Sequence, residues 1–333
     1  MLGGAIGDAL GSPVEFMPLE SIRERYGRKG ITDYVELPGN CGMFTDDTQM
    51  ALFTAEGILS ICRRFRNNFT VKQFIRMMYV SYVRWLFTQG VPDFRTNIRE
   101  SLLYESRLLD IDYLFSSRAP GITCVNALLS GMIGDFSNPI NNSKGCGGVM
   151  RVAPVGFLNH ISDYDAFRLG CVSAAITHGH PTGYLAAGFL SLMIARLVNN
   201  YSLTDAIRQP MNILLRERNS HECIRAVDKA LELAEKKDPS PENVEKLGKG
   251  WIAEEALSIA IYCCLSYPKD FKSAVLLAVN HSGDSDSTAA ITGNILGALN
   301  GVQSLPLSWI ERLDGADIVD NLARSLAATL ISV

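Results

Sequence analysis

Two short stretches of the sequence gather carboxylates and hydroxyls more densely than packing requires. Residues 45–48 read TDDT. Residues 280–290 read NHSGDSDSTAA, with Asp284 and Asp286 two apart and hydroxyls at Ser282, Ser285, Ser287 and Thr288. Each stretch stands just ahead of a run with helical apolar spacing. An Asp, Ser or Thr there can satisfy the free N–H groups of a first turn and meet the helix dipole favourably. One acid suffices for that. If the two helix starts meet, four carboxylates converge. Like charges at short range raise one another's pKa unless a cation lies between them. An all-oxygen donor set, with no His or Cys in it, suits a hard ion such as Mg²⁺ or Mn²⁺. Thr45, Asp46, Asp47, Asp284, Asp286 and Ser287 would supply oxygens to two octahedral ions, with waters filling the rest. Spacing alone leaves doubled capping and metal binding both open. Asp284-x-Asp286 does not open an EF-hand, because no Gly stands at the sixth position and no Glu at the twelfth.

Other stretches offer weaker chemistry. GGAIGDALGSPVEF (Gly3–Phe16) lacks the lysine of a P-loop and the spacing of a dinucleotide fingerprint, and its glycines read as a surface for close helix packing. Asp8 and Glu15 are further acids in apolar context, where a single acid is ordinarily a cap or an ion-pair member. SKGCGGVMRVAPVG (Ser143–Gly156) carries a glycine turn, Gly145-Cys146-Gly147-Gly148, whose N–H groups could cradle a phosphate. Taken alone, it reads as a plain loop. Cys146 is the one thiol in a tempting context, without an assignable base. THGHP (Thr177–Pro181) has two of the five histidines but no third zinc ligand at a telling distance. It reads as a helix end, with His178 meeting the negative dipole and Gly179 stopping the helix. His221-Glu222 lacks the second His of a zincin. Trp251, opening a helix, would serve equally as a base-stacking ring or a core anchor.

The elements that must position these residues are helical. Met50, Phe53, Gly57, Ile58 and Ile61 follow the amphipathic pattern. Val71–Leu86, Ala166–Thr177, Gly183–Leu197, Ile224–Lys236, Glu254–Leu265, Phe271–Val279 and Ala289–Leu299 are further helices by the same criterion. Pro210 should kink or split Thr204–Leu215. Gly293, Gly297 and Gly301 would give one helix a smooth face. Thr32–Leu37 is the best strand-like run, and Asp238–Asn243 reads as a loop. No repeat and no dividing linker is visible. The expected architecture is all-α, a multi-helix bundle in one domain spanning residues 1–333.

The totals agree with a globular enzyme. The chain has 333 residues, 47% hydrophobic content and net charge −4. A mildly acidic chain lacks the electrostatic footprint of a nucleic-acid binder. The longest stretches without formal charge, residues 169–195 and 287–310, are broken by polar and turn residues, so no membrane partner is expected. The eight cysteines form no C-x-x-C pair and read as buried thiols in a reducing compartment, the cytoplasm by default. MLGGAIGDAL has no positively charged start and is no secretory signal. It begins inside a motif-like stretch, which leaves room for native residues before it.

Taken in order, the blocks GGAIGDALGSPVEF, MFTDDTQMAL, GCGGVMRVAPVG, ITHGHPTGYLAAG, GWIAEEALSIAIYC and NHSGDSDSTAAITGNILGALNG resemble the ADP-ribosylglycohydrolases, in particular the dinitrogenase reductase-activating glycohydrolase branch. The resemblance covers residues 1 to about 301. It implies an orthogonal all-α bundle with a binuclear Mg²⁺ or Mn²⁺ centre. The family's metal ligands carry over to Thr45, Asp46, Asp47, Asp284 and Asp286. Ser287 stands where the family has Thr, with Thr288 after it. Glu15 would gate substrate or move a proton, and Asp47 or Glu15 would take the proton of the attacking water. The turn Gly145, Cys146, Gly147 and Gly148 would cradle a diphosphate, and His178 and Tyr184 would line the ADP-ribose cleft. The implied reaction removes ADP-ribose from a modified protein side chain, arginine first among them, by attack of metal-activated water at ribose C1″. The alternatives are hydrolysis of O-linked ADP-ribose, and an immunity protein that occludes an ADP-ribosyltransferase toxin, with or without hydrolysis.

Overall fold

The computed structural model describes residues 1–36, 41–66, 68–91, 98–158 and 161–331. Sixteen α-helices follow one another among them, joined by short 3₁₀ turns and loops, with no strand. They are α1 (Leu2–Gly11), α2 (Leu19–Tyr26), α3 (Asp46–Phe65), α4 (Val71–Thr88), α5 (Glu100–Leu103), α6 (Ile122–Leu129), α7 (Asp163–Ala175) and α8 (Pro181–Val198). Then come α9 (Leu203–Leu214), α10 (His221–Glu235), α11 (Pro241–Glu245), α12 (Ala253–Ser266), α13 (Phe271–Val279), α14 (Ser285–Asn300), α15 (Leu307–Arg312) and α16 (Ala316–Ile331). The helices start where the sequence supplies caps. Thr70 and Gln73 form a reciprocal capping box at α4, and Ser162 and Ser202 cap α7 and α9.

Three expectations change. Residues 32–36 of the strand-like run form no ladder, and Leu37 lies outside the described residues. The apolar residues there, Ile31 and Tyr34, are buried without a neighbouring strand to pair with. Instead Ile31 N–H and C=O both bond the side-chain amide of Asn280. Helix α9 runs through Pro210 without a break. Pro210 is buried in the amphipathic face beside Ile207 and Leu214. The segment 238–243 is a loop only at its start, since Pro241 takes the first position of α11, where its lost N–H costs nothing.

Helix α8 is apolar and long enough to cross a bilayer, yet 78% of it is buried inside the protein. It packs against α7, α9, α12 and α14. Small residues make this possible. Gly170 and Gly188 let α7 and α8 approach, and Gly156 admits the backbone of α8 near Ser191.

The closest approach in the fold is between α1 and α14. A Cβ on Gly3 would collide with the carbonyl of Gly293, one on Gly7 with the carbonyl of Ala289, and one on Gly11 with the backbone of Ser285 and Asp286. The glycine stretch at the chain start therefore does what its composition suggested. The smooth face on α14 is shorter than expected. Gly293 touches backbone, Gly297 has its nearest neighbour 3.8 Å away, and Gly301 ends the helix with φ +75°. The two interior glycines of α14 should respond oppositely to one methyl. Gly293→Ala forces the helices apart and should cost about 1–3 kcal/mol or more. Gly297→Ala should be neutral or gain up to about 1 kcal/mol from helix propensity. Urea unfolding midpoints of the two variants check this.

Candidate active site

The helix starts of α3 and α14 meet, as the two acid-rich stretches required. At α3, Thr45 is the N-cap and its hydroxyl accepts from Asp47 N–H. The same hydroxyl lies 3.4 Å from Asp286 Oδ2, across to α14. At α14, Asp284 is the N-cap, accepting from Ser287 N–H at 3.3 Å, and Asp286 Oδ1 accepts from the same N–H at 2.9 Å. Capping and convergence are therefore both present, and the first does not exclude the second.

Glu15 joins them from the end of α1. Carboxylate oxygens of Glu15, Asp284 and Asp286 lie within 4.8 Å of one another. Asp8, a residue that the sequence suggested only as a cap or ion-pair member, is buried and accepts from Thr45 N–H (2.8 Å), Thr48 N–H (3.0 Å) and the Thr48 hydroxyl. It holds the first turn of α3 against α1. Its place on the packed face of α1, seven residues before Glu15, was the available signal.

The electrostatics of this cluster are adverse. Burial, and then the charge of Asp286, push Asp8 up to about 7. Burial, followed by Asp286, Asp284, Asp46 and Asp8, pushes Glu15 up to about 10. Asp46, Asp47 and Asp284 are likewise held well above the usual carboxylate range, by burial first and by neighbouring acids. Asp47 Oδ1 is buried without any hydrogen-bond donor among the described residues. No Lys or Arg forms an ion pair with any of these acids there. An orphaned carboxylate oxygen inside a cluster of repelling acids fits a divalent cation, whose charge removes the repulsion and whose coordination shell uses that oxygen.

The neighbouring hydroxyls divide the work. Thr288 Oγ1 is 2.9 Å from its ring partner His281 Nε2 and 2.9–3.2 Å from the carbonyls of Asp284, Ala278 and Ser285, so it braces the loop. Ser287 Oγ lies 3.7 Å from the sulfurs of Cys146 and Met150, and its hydroxyl also acts on the Asp284 carboxyl. The rest of NHSGDSDS is also bracing. Asn280 pins Ile31, and Ser282 accepts from Leu19 N–H at 2.9 Å and donates its own N–H to Glu245.

The glycine turn forms the opposite wall. Cys146 Sγ donates to Asp284 Oδ2 at 2.8 Å, bringing the turn to the acids. A Cβ on Gly147 would crowd Cys124 Sγ and His178, and one on Gly148 would crowd Ala174, so the turn needs its glycines to seat on α6 and α7. Cys146 N–H bonds the Trp251 carbonyl and Lys144 C=O accepts from Ala253 N–H, tying the turn to α12. Lys144 adds an ion-pair pair with Glu222 (2.8 Å) and Glu254 (2.6 Å).

His178 does not serve as a charged C-terminal residue. It is fully buried under the turn, with Nδ1 2.8 Å from Thr177 Oγ1. Burial, with the Arg151 charge, lowers its pKa to about 3, so it is neutral and has no ionic interaction with the dipole. His180, its neighbour in THGHP, caps α8 instead. Tyr184 packs on Phe136 at 4.6 Å along a cavity of about 720 Å³ that Arg168, Arg216 and Arg218 also line, and none of the clustered acids lines it. Arg151 went unrecognised in the sequence. It is wholly buried behind the turn, bonds Thr177 Oγ1 at 2.7 Å and lies over the Tyr82 ring at 4.2 Å.

Comparisons with known proteins show the family and the fold. Residues 1–332 match the family model described as ADP-ribosylglycohydrolase. An ADP-ribosylarginine hydrolase of Serratia proteamaculans is 27% identical, aligned over 98% of this chain and 77% of its own. The ADP-ribosyl-[dinitrogen reductase] glycohydrolase of Rhodospirillum rubrum is also 27% identical, over 94% of this chain and 88% of its own. A solved structure described as an ADP-ribosylglycohydrolase-related protein complex shares the fold with TM-score 0.66 and 23% identity, covering 99% of this chain and 95% of that one.

The acid cluster should write itself into the stability curve. A carboxyl whose folded pKa is raised favours folding below its unfolded pKa and loses that contribution as pH rises through the folded value. With Asp8 moved from 3.8 to about 7 and Glu15 from 4.5 to about 10, protein in EDTA should lose stability steadily as pH rises from 5 to 9. Mn²⁺ at a hundred times its dissociation constant should restore about 2.7 kcal/mol. Asp286→Asn should flatten the pH dependence in EDTA and abolish the Mn²⁺ gain. Thermal unfolding with and without metal measures both.

Proposed function

The chain belongs to the ADP-ribosylglycohydrolase family, and on that premise we propose that it releases ADP-ribose from arginine side chains of modified proteins. The observation that carries this reading is the cluster of Glu15, Asp284 and Asp286 within 4.8 Å, with Thr45 Oγ1 3.4 Å from Asp286, Asp46 and Asp47 raised in pKa by burial and by the charge of Asp286, and Asp47 Oδ1 left unpaired. The names of the two relatives that align along most of their length, an ADP-ribosylarginine hydrolase and a glycohydrolase of an ADP-ribosylated protein, support the same acceptor class.

Thr45, Asp46, Asp47, Asp284, Asp286 and Ser287 would hold two divalent cations, Mg²⁺ or Mn²⁺. When bound, these would supply Lewis acidity toward the ribose hydroxyls and a lowered pKa for water. The chain's own residues do the rest. The glycine turn, held by Cys146 and Lys144 against α12, presents backbone to the diphosphate. Neutral His178 backs the turn without adding a charge. Glu15 is half-buried, and burial and the neighbouring acids hold its carboxyl protonated without cations. With the acids' charge offset by bound cations, its carboxylate would take a proton from water and return it to the departing guanidine. Asp47 is the second candidate for that proton, through its unpaired oxygen. Attack at ribose C1″ passes through an oxocarbenium-like state, which surrounding carboxylates stabilise.

Release of ADP-ribose from arginine-modified and serine-modified protein, with Mg²⁺, Mn²⁺ or EDTA, tests the reading. Arginine-linked release should require a divalent ion. Glu15→Gln should lower kcat about 10²-fold or more. Asp286→Ala should abolish turnover. Release from serine alone would assign the O-linked reaction instead. Protection of cells from an ADP-ribosylating toxin that survives Asp286→Ala would assign occlusion.

A further inference from the structure

The acid centre has an aromatic lip. Phe16 directly follows Glu15, is 69% exposed, and holds φ at +68°, a left-handed conformation that bulky side chains rarely adopt. Its ring stacks on Trp251, with centroids 4.8 Å apart and planes within 24° of parallel. Backbone bonds fix the pair from three sides. Phe16 N–H donates to the Gly283 carbonyl at 3.1 Å, one residue before Asp284. The Trp251 carbonyl accepts from Cys146 N–H at 3.1 Å, and Asp284 N–H donates to the Lys249 carbonyl at 2.8 Å. The lip thus joins the Glu15 end of α1, the Asp284 loop and the glycine turn. Trp251 is half-buried, and its indole N–H has no partner among the described residues.

An exposed phenyl ring on a strained backbone gains little from core burial, and such outliers concentrate where a ligand is held. The charge at the lip selects the ligand. Glu15 adjoins Phe16 in the chain and is not among the proposed cation ligands, so its carboxylate remains where bound cations would offset Asp46, Asp47, Asp284 and Asp286. A neutral ring gains only stacking there. A planar cation gains from both the ring faces and that carboxylate. A guanidinium remains a planar cation when one nitrogen carries ribose.

We infer that Phe16 and Trp251 form the acceptor subsite, on which the guanidinium of the modified arginine stacks. The inference rests on the arginine reading of the preceding section. The pair contributes to binding of the acceptor and not to binding of ADP-ribose, which lacks it.

Steady-state hydrolysis of an ADP-ribosyl-arginine peptide, set beside calorimetric affinity for free ADP-ribose in Mg²⁺, tests this with Trp251→Leu, Trp251→Phe and Phe16→Gly. The last relieves the strained φ at an exposed position and does not threaten the core. Trp251→Leu and Phe16→Gly should raise KM for the peptide roughly tenfold, with ADP-ribose affinity following the wild type. Trp251→Phe should restore most of the loss. An unchanged KM in the wild-type-active enzyme overturns the inference alone. So does a KM rise matched by an equal loss of ADP-ribose affinity, which would make the pair part of the glycine-turn scaffold. If the wild-type enzyme leaves the arginine conjugate intact, the arginine reading falls and this inference falls with it.

Discussion

The contact between the backbones of α1 and α14 is the constraint on which the site depends. Gly3, Gly7 and Gly11 lie against the main chain of residues 285–293, at distances that exclude any side chain. That approach sets where α1 ends and hence where Glu15 enters. It also places Asp8 to grip the first turn of α3 through Thr45 and Thr48. Helix α1 packs against both helix starts, which also touch each other directly where Thr45 Oγ1 lies 3.4 Å from Asp286 Oδ2.

The same arrangement concentrates charge in a buried place. Asp46, Asp47, Asp284, Asp286 and Asp8 are each no more than 5% exposed. Elsewhere a buried acid is paired. Glu56 meets Arg84 at 2.9 Å, and Arg84 also binds the carbonyls of Leu102 and Leu103. The acid cluster has no such cation. Helix starts, whose dipoles favour negative charge, and N–H groups from Thr45, Gly121 and Ser287 offset part of the cost. The remainder is what a divalent ion would relieve, so the stored repulsion is itself a source of metal affinity.

Much of this was readable in the sequence because it rests on local rules. Doubled acids before a helical run mark both a cap and a cluster, and the order of blocks identified the family. Phe271–Val279 has the same bounds in sequence and structure because Asp270 caps it plainly. What escaped is what depends on distant partners. Asp8 looks like any buried acid until α3 is beside it. His178 looks like a dipole partner until the glycine turn covers it and removes its charge. Thr32–Glu36 has strand-forming residues, yet Asn280 claims the backbone of neighbouring Ile31. Phe16 and Trp251 are 235 positions apart in the numbering, and nothing local to either announces a stacked pair.

The glycine contact also shapes how the chain is made. Residue 3 is matched to residue 293, so α1 lacks its main packing partner until α14 has been synthesised. At ordinary elongation rates that interval is on the order of tens of seconds. During it, α1, which is short, apolar and glycine-rich, cannot hold itself together alone. The acidic stretch of α3 emerges soon after and stays hydrated, its carboxylates free of one another. The acid centre is therefore assembled late, when α14 closes onto α1. A ribosome-bound chain would carry every helix up to α13 and still have no site.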